Sequence, residues 1–290
     1  MESLQALTQS ELNITKNGER SKPPARKCPH CENVLEPKRL ELFGQIRWGA
    51  VTCRCETQAR EAEEREKERR EWLKLCSEFT SKDKLIRGAT LQNYQERKGC
   101  AIAYKTARNF LETYEEWHRE KAGVGIYFYG KNGLGKSHLL TALYREFVKQ
   151  GKAVVFMTTY HMFQRFREVA RTEDYAYQRR LLKVLYNCDV LFLDDVGGEV
   201  PYDSRSEKLL DVITSRSRKR PIIYSSNYSL EELEKWFGNN ISELQIQGLR
   251  ITDRILENVI PVTLDAESQR GIINDHHMDW IEGRLSGFES

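Results

Sequence analysis

From Gly125 onward, short apolar runs alternate with stretches whose apolar positions return every three or four residues. The runs are GIYFYG from Gly125, AVVFMTT from Ala153, DVLFLDD from Asp189, PIIYSSN from Pro221 and NVIPVTL from Asn258. An unbroken apolar run reads as a strand buried on both faces, and the periodic stretches between the runs read as amphipathic helices. That alternation predicts βαβ units on a mainly parallel sheet with helices against both of its sides. The stretch CAIAYKTARNFLETYEEWHR from Cys100 has helical spacing and leads into the first run.

The front of the chain has a different pattern. ETQAREAEEREKERREWLKL from Glu56 forms helix readily yet has almost no apolar face. Opposite charges four apart (Glu61 with Arg65, Glu63 with Lys67, Glu66 with Arg70) support such a helix by a few tenths of a kcal/mol each. A helix polar all round bridges domains through solvent, so it marks a boundary. The expected organisation is a polar tail at 1–27, a cysteine-bearing module at 28–55 and a charged linker helix at 56–80. The α/β domain would occupy 85–275, and a second tail 276–290.

Composition narrows the picture only a little. The chain of 290 residues is 39% hydrophobic and 31% charged with a net charge of +3, which fits a soluble protein and is too small a charge to imply a nucleic-acid partner by itself. No apolar run approaches the roughly 18 residues of a membrane span, and MESLQALTQSEL lacks the regions of a signal peptide. A cytoplasmic location without membrane contact is therefore expected. Seven cysteines make an odd number for a disulfide framework, and four of them fall early in close pairs.

Those pairs are Cys28 with Cys31 and Cys53 with Cys55, a C-x₂-C and a C-x-C joined by a span that offers two short strands, ELFG and IRWGAVTC. Thiolates in two close pairs suit tetrahedral zinc, although the second pair is tighter than the usual spacing and His30 could replace one ligand. So small a segment lacks the apolar residues for a core of its own. Cys76, Cys100 and Cys188 read as packing residues.

The first apolar run ends in YGKNGLGKSHLL. Gly130, Lys131, Asn132, Gly133, Leu134, Gly135, Lys136 and Ser137 satisfy G-x-x-x-x-G-K-[ST], with His138 following, a strand before and a helix after. Glycines let the chain curl so that amide N–H groups face phosphate oxygens at a helix N-terminus. Lys136 would reach the β- and γ-phosphates of ATP, and Ser137 would ligate Mg²⁺. Asp194 and Asp195 close the third run, at the sheet edge where a ligand belongs. Asp194 would hold the magnesium shell and Asp195 would polarise the attacking water, with Glu199 a weaker candidate for that role. Asn227 ends the fourth run and reads either as a γ-phosphate sensor or as a turn residue before SLEELEKWF. Arg250, Arg254 and Arg270 could supply a guanidinium to the γ-phosphate from a neighbouring copy, or could form ordinary surface ion pairs.

Between the second and third runs, Arg165, Arg167, Arg171, Arg179, Arg180 and Lys183 stand against Glu168, Glu173 and Asp174, interleaved with Phe163, Phe166, Tyr175 and Tyr177. Two readings are open. The aromatics could stack on bases while the cations follow a single-stranded backbone, or the stretch is an amphipathic helix pair with a solvated charged face. RSRKR from Arg216 ends a helix, where cations suit the dipole, and no further role is read there.

With these residues in order, the stretch from about 85 to 275 resembles the AAA+ ATPases, and among them the bacterial and phage replicative helicase loaders of the DnaC/DnaI kind. The motifs that carry the resemblance are YGKNGLGKSHLL, LFLDDVGGE, IIYSSN and LRITDRI…DAESQR. It implies a three-layer P-loop AAA+ domain, ATP hydrolysis, self-association through that domain, and assembly on single-stranded DNA. It also implies an N-terminal module, here the zinc-binding one, that docks on the hexameric replicative helicase. Arg250 falls on the finger position with Arg254 beside it, and Arg270 on the second sensor arginine. Two departures stand out: Asp-Asp replaces the usual Asp-Glu, which implies slow, switch-like turnover, and little chain follows Arg270 for a helical lid. The alternatives are a transposition-type, IstB-like regulatory ATPase that binds duplex DNA and a transposase, and a zinc-dependent DNA-binding regulator.

Overall fold

The structure, a computed structural model of the chain, describes residues 22–42, 45–198, 203–238 and 242–266. It divides into two compact units, residues 1–71 and 72–290. Among the described residues, no helix is long and apolar enough to cross a membrane.

The first unit holds two small antiparallel pairs. Strand β1 (Arg26–Lys27) pairs with β2 (Val34–Leu35), and β3 (Lys38–Leu42) pairs with β4 (Gln45–Gly49) in a hairpin. Helix α1 (Arg54–Phe79) follows and runs through the unit boundary. Its solvated part carries charge pairs such as Arg65 with Glu61 and Arg69 with Glu66. Its last two turns depart from the all-polar expectation: Cys76 and Phe79 are buried, and Trp72, Leu73 and Leu75 pack beside them in the core of the second unit. The charged run hides this because the apolar residues gather only at its end.

In the second unit α2 (Ala101–Glu112) and α3 (Tyr114–Glu120) lead into β5 (Gly125–Tyr129), α4 (Lys136–Lys149), β6 (Val154–Thr158), α5 (Thr159–Thr172), α6 (Tyr175–Asn187) and β7 (Val190–Val196). Then come α7 (Asp203–Arg216), β8 (Ile222–Ser226), α8 (Leu230–Gly238), α9 (Ser242–Leu256) and β9 (Val259–Thr263). The five strands form one parallel sheet in the order β6-β7-β8-β5-β9. Each apolar run of the sequence is one of these strands.

Because neighbouring side chains leave a strand on opposite faces, every run feeds two cores. Phe128, Phe156, Phe192 and Ile223 join the buried residues of α2, α3 and α4, such as Phe110 and Phe147. Tyr127, Val155, Leu191 and Tyr224 join those of α5 to α9 on the other face, such as Leu181, Val212 and Ile251. The result is three layers. Helix ends are set by local side chains: Thr158 Oγ1 accepts the His161 N–H at the start of α5, and Asp174 accepts the Tyr177 N–H at the start of α6. Ser229 and Glu232 exchange hydrogen bonds with one another's backbone N–H before α8.

The free edge of β6 is covered by the chain that leaves α1. Ser81 N–H donates to Phe156 O at 2.8 Å, and Phe156 N–H donates to Thr80 Oγ1 at 3.3 Å. In the same unit Arg216 is buried, only 1% exposed. Its guanidinium donates to Leu185 O at 2.8 Å, to Pro221 O at 2.9 Å and, more weakly, to Asp189 O and the Cys188 sulfur. It ties the end of α6 to the entry of β8, a role that the run of cations around it conceals. Arg216→Ala should strip these carbonyls of their donor and leave a cavity, at a cost of about 3–5 kcal/mol. The urea midpoint of unfolding checks this; a change within about 0.5 kcal/mol would contradict the assignment.

Candidate functional site

All the loop, strand-end and sensor groups within the described residues meet at the C-terminal edge of the sheet, where β5, β8 and β7 lie side by side. The loop between β5 and α4 makes its turn with Gly130 and Gly135. A Cβ on Gly130 would lie 2.2 Å from Leu264 O; Gly135, with φ +92°, caps α4 and is pressed against the Tyr94 ring. Only glycine fits either place.

Lys136, the first residue of α4, is buried, and its ammonium donates to Gly130 O at 2.6 Å, Lys131 O at 2.7 Å and Asn227 Oδ1 at 2.9 Å. Asn227 in turn donates through Nδ2 to Asp195 Oδ1 at 3.4 Å. One amide therefore links the loop cation to the second carboxylate. Ser137 Oγ donates to Asp194 Oδ1 at 3.0 Å. Two cis ligands of an octahedral magnesium ion, with bonds of about 2.1 Å, stand about 3 Å apart, so this pair fits the metal.

Asp194 is 6% exposed, and burial pushes its carboxyl above the ordinary aspartate range against the hydrogen bonds from Ser225 and Ser137. A nearby dication offsets such a cost. Asp195 is exposed and is held with φ +58°, where β7 gains one residue on β8 between Leu193 and Val196. That bulge turns Asp195 toward the same cleft as Asp194. Its backbone is fixed from three sides: its N–H donates to Ser225 Oγ, and its carbonyl accepts from Thr159 Oγ1 and the Gly198 N–H.

The cleft has a volume of about 1050 Å³ and contains Gly133–His138 together with both aspartates and Asn227. Several of its groups gave no signal in the sequence. Ser225 braces both aspartates from inside an apolar run. Tyr94 and Arg97 reach the loop at Leu134 O from a segment without a motif. His161, whose Nδ1 lies 2.7 Å from Thr158 Oγ1, lines the wall that α5 presents. His138 leaves the loop to meet Thr90 O at 2.9 Å.

The arginines lie elsewhere. Arg250 and Arg254 are exposed on α9 and do not line the cleft of their own chain; Arg254 pairs with Glu257 at 2.7 Å. Arg270 and Glu199 fall outside the described residues. In α5 and α6 the tertiary packing divides the cationic set. Arg165 donates to Phe79 O at 2.8 Å with its guanidinium over the Phe79 ring, Arg180 pairs with Glu78 at 2.9 Å, and Lys183 stands over Trp72. Arg167 and Arg179 are exposed. Phe163 and Phe166 are core residues and Tyr177 packs on Phe79, so Tyr175, 62% exposed, is the ring of the four that faces solvent.

In the first unit Cys28, Cys31, Cys53 and Cys55 present their sulfurs within 4.8 Å of one another, and His30 is not part of the group. Sulfur separations of 3.2–3.5 Å are near the edge of about 3.8 Å expected for a tetrahedron with Zn–S bonds of about 2.3 Å. Burial raises Cys28, but the His30 N–H and neighbouring thiols bring it down to about 7, while Cys55 is pushed up, chiefly by Cys28. Four sulfurs competing for negative charge is a donor set that a divalent ion satisfies. The other three cysteines, Cys76, Cys100 and Cys188, are buried in the second unit and form no disulfide.

Residues 63–273 match the family described as IstB-like ATP binding protein. The chain is 28% identical over 190 residues to the replicative helicase loader DnaI of Bacillus subtilis, covering 63% of this chain and 58% of that protein. It is also 28% identical over 164 residues to the replicative helicase loader DnaC of Escherichia coli K12, covering 55% and 63%. The matched stretch thus spans about three-fifths of each of these two relatives. A crystal structure of DnaI superposes with a TM-score of 0.54 at 23% identity, over 64% of this chain and 95% of that one, which establishes the fold.

Asp194 provides a test of the geometry. Its folded-state pKa lies above the unfolded one, so its charge costs stability above that pKa and the cost is relieved as pH falls through it. Asp194→Asn should therefore raise the melting temperature of the metal-free chain at pH 7, by about 2–4 °C for each kcal/mol of relieved cost in a unit of this size. A lower melting temperature would contradict it.

Proposed function

The chain belongs to the family of IstB-like ATP-binding proteins, and we propose that within it this protein is an ATP-dependent loader, which engages the hexameric replicative helicase and helps place it on single-stranded DNA. The observation that carries the reading is the convergence of Lys136, the Ser137–Asp194 pair and the Asn227–Asp195 pair in one cleft, on a chain with a separate cysteine-bearing unit. The two replicative helicase loaders at 28% identity support the same reading, while an insertion-sequence putative ATP-binding protein at the same identity supports the second reading given below. In this proposal the module at 28–55 is the helicase dock and 85–275 the ATPase.

In the proposed reaction, Gly130–Ser137 cradles the phosphates through its amides. Lys136, already poised between loop carbonyls and Asn227, neutralises the β/γ oxygens. Ser137 and Asp194 would hold magnesium, which would supply charge stabilisation at the γ-phosphate. Asp195 accepts a hydrogen bond from the attacking water, and Asn227 orients both. Arg250 of a neighbouring copy, with Arg254 beside it, completes the pocket, and Arg270 reads the bound nucleotide. Thr159 ties α5 to the carbonyl of Asp195, so a strand bound along α5 and α6 at Arg167 and Arg179 would bear on the same carboxylate. The shorter reach of an aspartate there suits slow turnover that a partner accelerates. Cys28, Cys31, Cys53 and Cys55 would hold zinc in the docking unit. The family description also supports a second reading, a regulatory ATPase of transposition.

Lys136→Ala should weaken ATP binding roughly 30- to 160-fold, about 2–3 kcal/mol for a lost charged contact. It should also abolish co-elution of the chain with its host's replicative helicase in ATP. Nucleotide affinity and co-elution left intact would end the proposal; co-elution with a transposase on duplex DNA instead would establish the second reading.

Charge reversal at Arg167 and Arg179 tests the DNA path, because those two are exposed where Arg165 and Arg180 are engaged. Each lost phosphate contact should lower the slope of log affinity against log salt by about 0.7 for a single strand. An unaltered slope would return α5 and α6 to a purely structural role.

A further inference from the structure

The cysteine pair at the start of α1 has a spacing that needs explaining. Cys53 and Cys55 are two positions apart, and two residues both inside a helix would diverge by about 200° at about 100° per residue. Their sulfurs nevertheless lie 3.3 Å apart. The reason is that α1 begins at Arg54, so Cys53 stands just outside it, with its carbonyl accepting the Thr57 N–H at 3.1 Å. That is the position from which a Ser or Thr side chain usually caps the first turn while a Glu three residues on reaches back to the N–H. Here only the return half is made. The Cys53 sulfur turns to Cys31 and Cys55, and Glu56 Oε2 accepts the Cys53 N–H at 2.9 Å.

Glu56 is itself gripped. Both terminal nitrogens of Arg26 donate to its carboxylate, NH2 at 2.8 Å, and the same NH2 donates to Val51 O at 3.1 Å. Arg26 lies on β1, two residues before Cys28. One guanidinium therefore joins the strand that delivers the first cysteine pair, the loop before the second pair, and the helix start that aims it. Four thiolates around a divalent ion would carry a net charge of about −2, and Arg26 places a positive charge two residues from Cys28.

We propose that the Arg26–Glu56 pair is a bracket that sets the two cysteine pairs at chelating distance, so that the metal affinity of the first unit depends on two residues that are not ligands. This rests on the four cysteines being a zinc site. Arg26 and Glu56 are positioning residues: Glu56 fixes the backbone of Cys53 outside the helix, and Arg26 fixes Glu56 relative to Cys28. Partners of this sort around metal ligands change affinity by about 10- to 100-fold when removed.

The test uses the full chain, with zinc affinity measured by competition against a chromogenic chelator and the visible spectrum of the cobalt-substituted protein as a second readout. Wild type should take up one ion. Arg26→Ala, which leaves the Glu56–Cys53 bond in place, and Glu56→Ala should each weaken zinc binding about 10- to 100-fold and broaden the tetrahedral cobalt bands. The double variant should be no weaker than the singles, because the pair acts as a unit. Arg26→Lys, which keeps the charge but loses the fork, should recover only part of the affinity. The proposal is overturned if Arg26→Ala binds zinc within about threefold of wild type, whatever Glu56→Ala does, or if the two losses multiply in the double variant. Wild type binding no zinc would instead overturn the zinc reading itself.

Discussion

Side chains that follow one another along a strand leave it on opposite faces, so a cleft that uses both Asp194 and Asp195 requires the strand to be broken between them. The extra residue of β7 supplies that break, and nearly everything else at the sheet edge is arranged to hold it. Ser225, Thr159 and Gly198 fix the Asp195 backbone in a left-handed bend. Aspartate is among the few residues other than glycine that take such a bend readily. A longer carboxylate would reach further into the cleft but is less suited to the bend, which gives the Asp-Asp ending a local reason. Asn227 then connects this carboxylate to Lys136, so the cation, the amide and the acid are positioned as one set.

What could be read from the residues follows a simple division. The five strands were legible because each is a continuous apolar run, and the phosphate loop because its glycines and lysine stand in fixed order before a helix. The bulge was not legible, since VLFLDDV reads as an uninterrupted strand and the break depends on pairing with β8. Arg216 was hidden for a related reason: among five residues with four cations, nothing local distinguishes the one that points inward. The packed end of α1 was masked by the charged run ahead of it. The aromatics of α5 and α6 alternate with cations in a way that fits base stacking equally well as core packing, and only the tertiary contacts of Phe163, Phe166 and Tyr177 separate the two.

The two units solve the problem of small size differently. The second has a sheet with an apolar core on each face. The first has two short strand pairs and most of α1, and the described residues give it little apolar interior; Cys28 is buried, while Val34 and Leu40 are exposed. Its order is set by sulfur, by the Arg26–Glu56 pair and by the first turn of α1. A domain ordered in this way would gain or lose its shape with any ion its four sulfurs bind.

The covered edge of β6 has a bearing on how copies can meet. Thr80 and Ser81 already occupy hydrogen-bonding groups of Phe156, so another molecule cannot simply append a strand on that side without first peeling this segment away. A contact between copies on this side of the sheet would accordingly be made through side chains and loop surfaces, and could slide or tilt without tearing a shared ladder of backbone bonds.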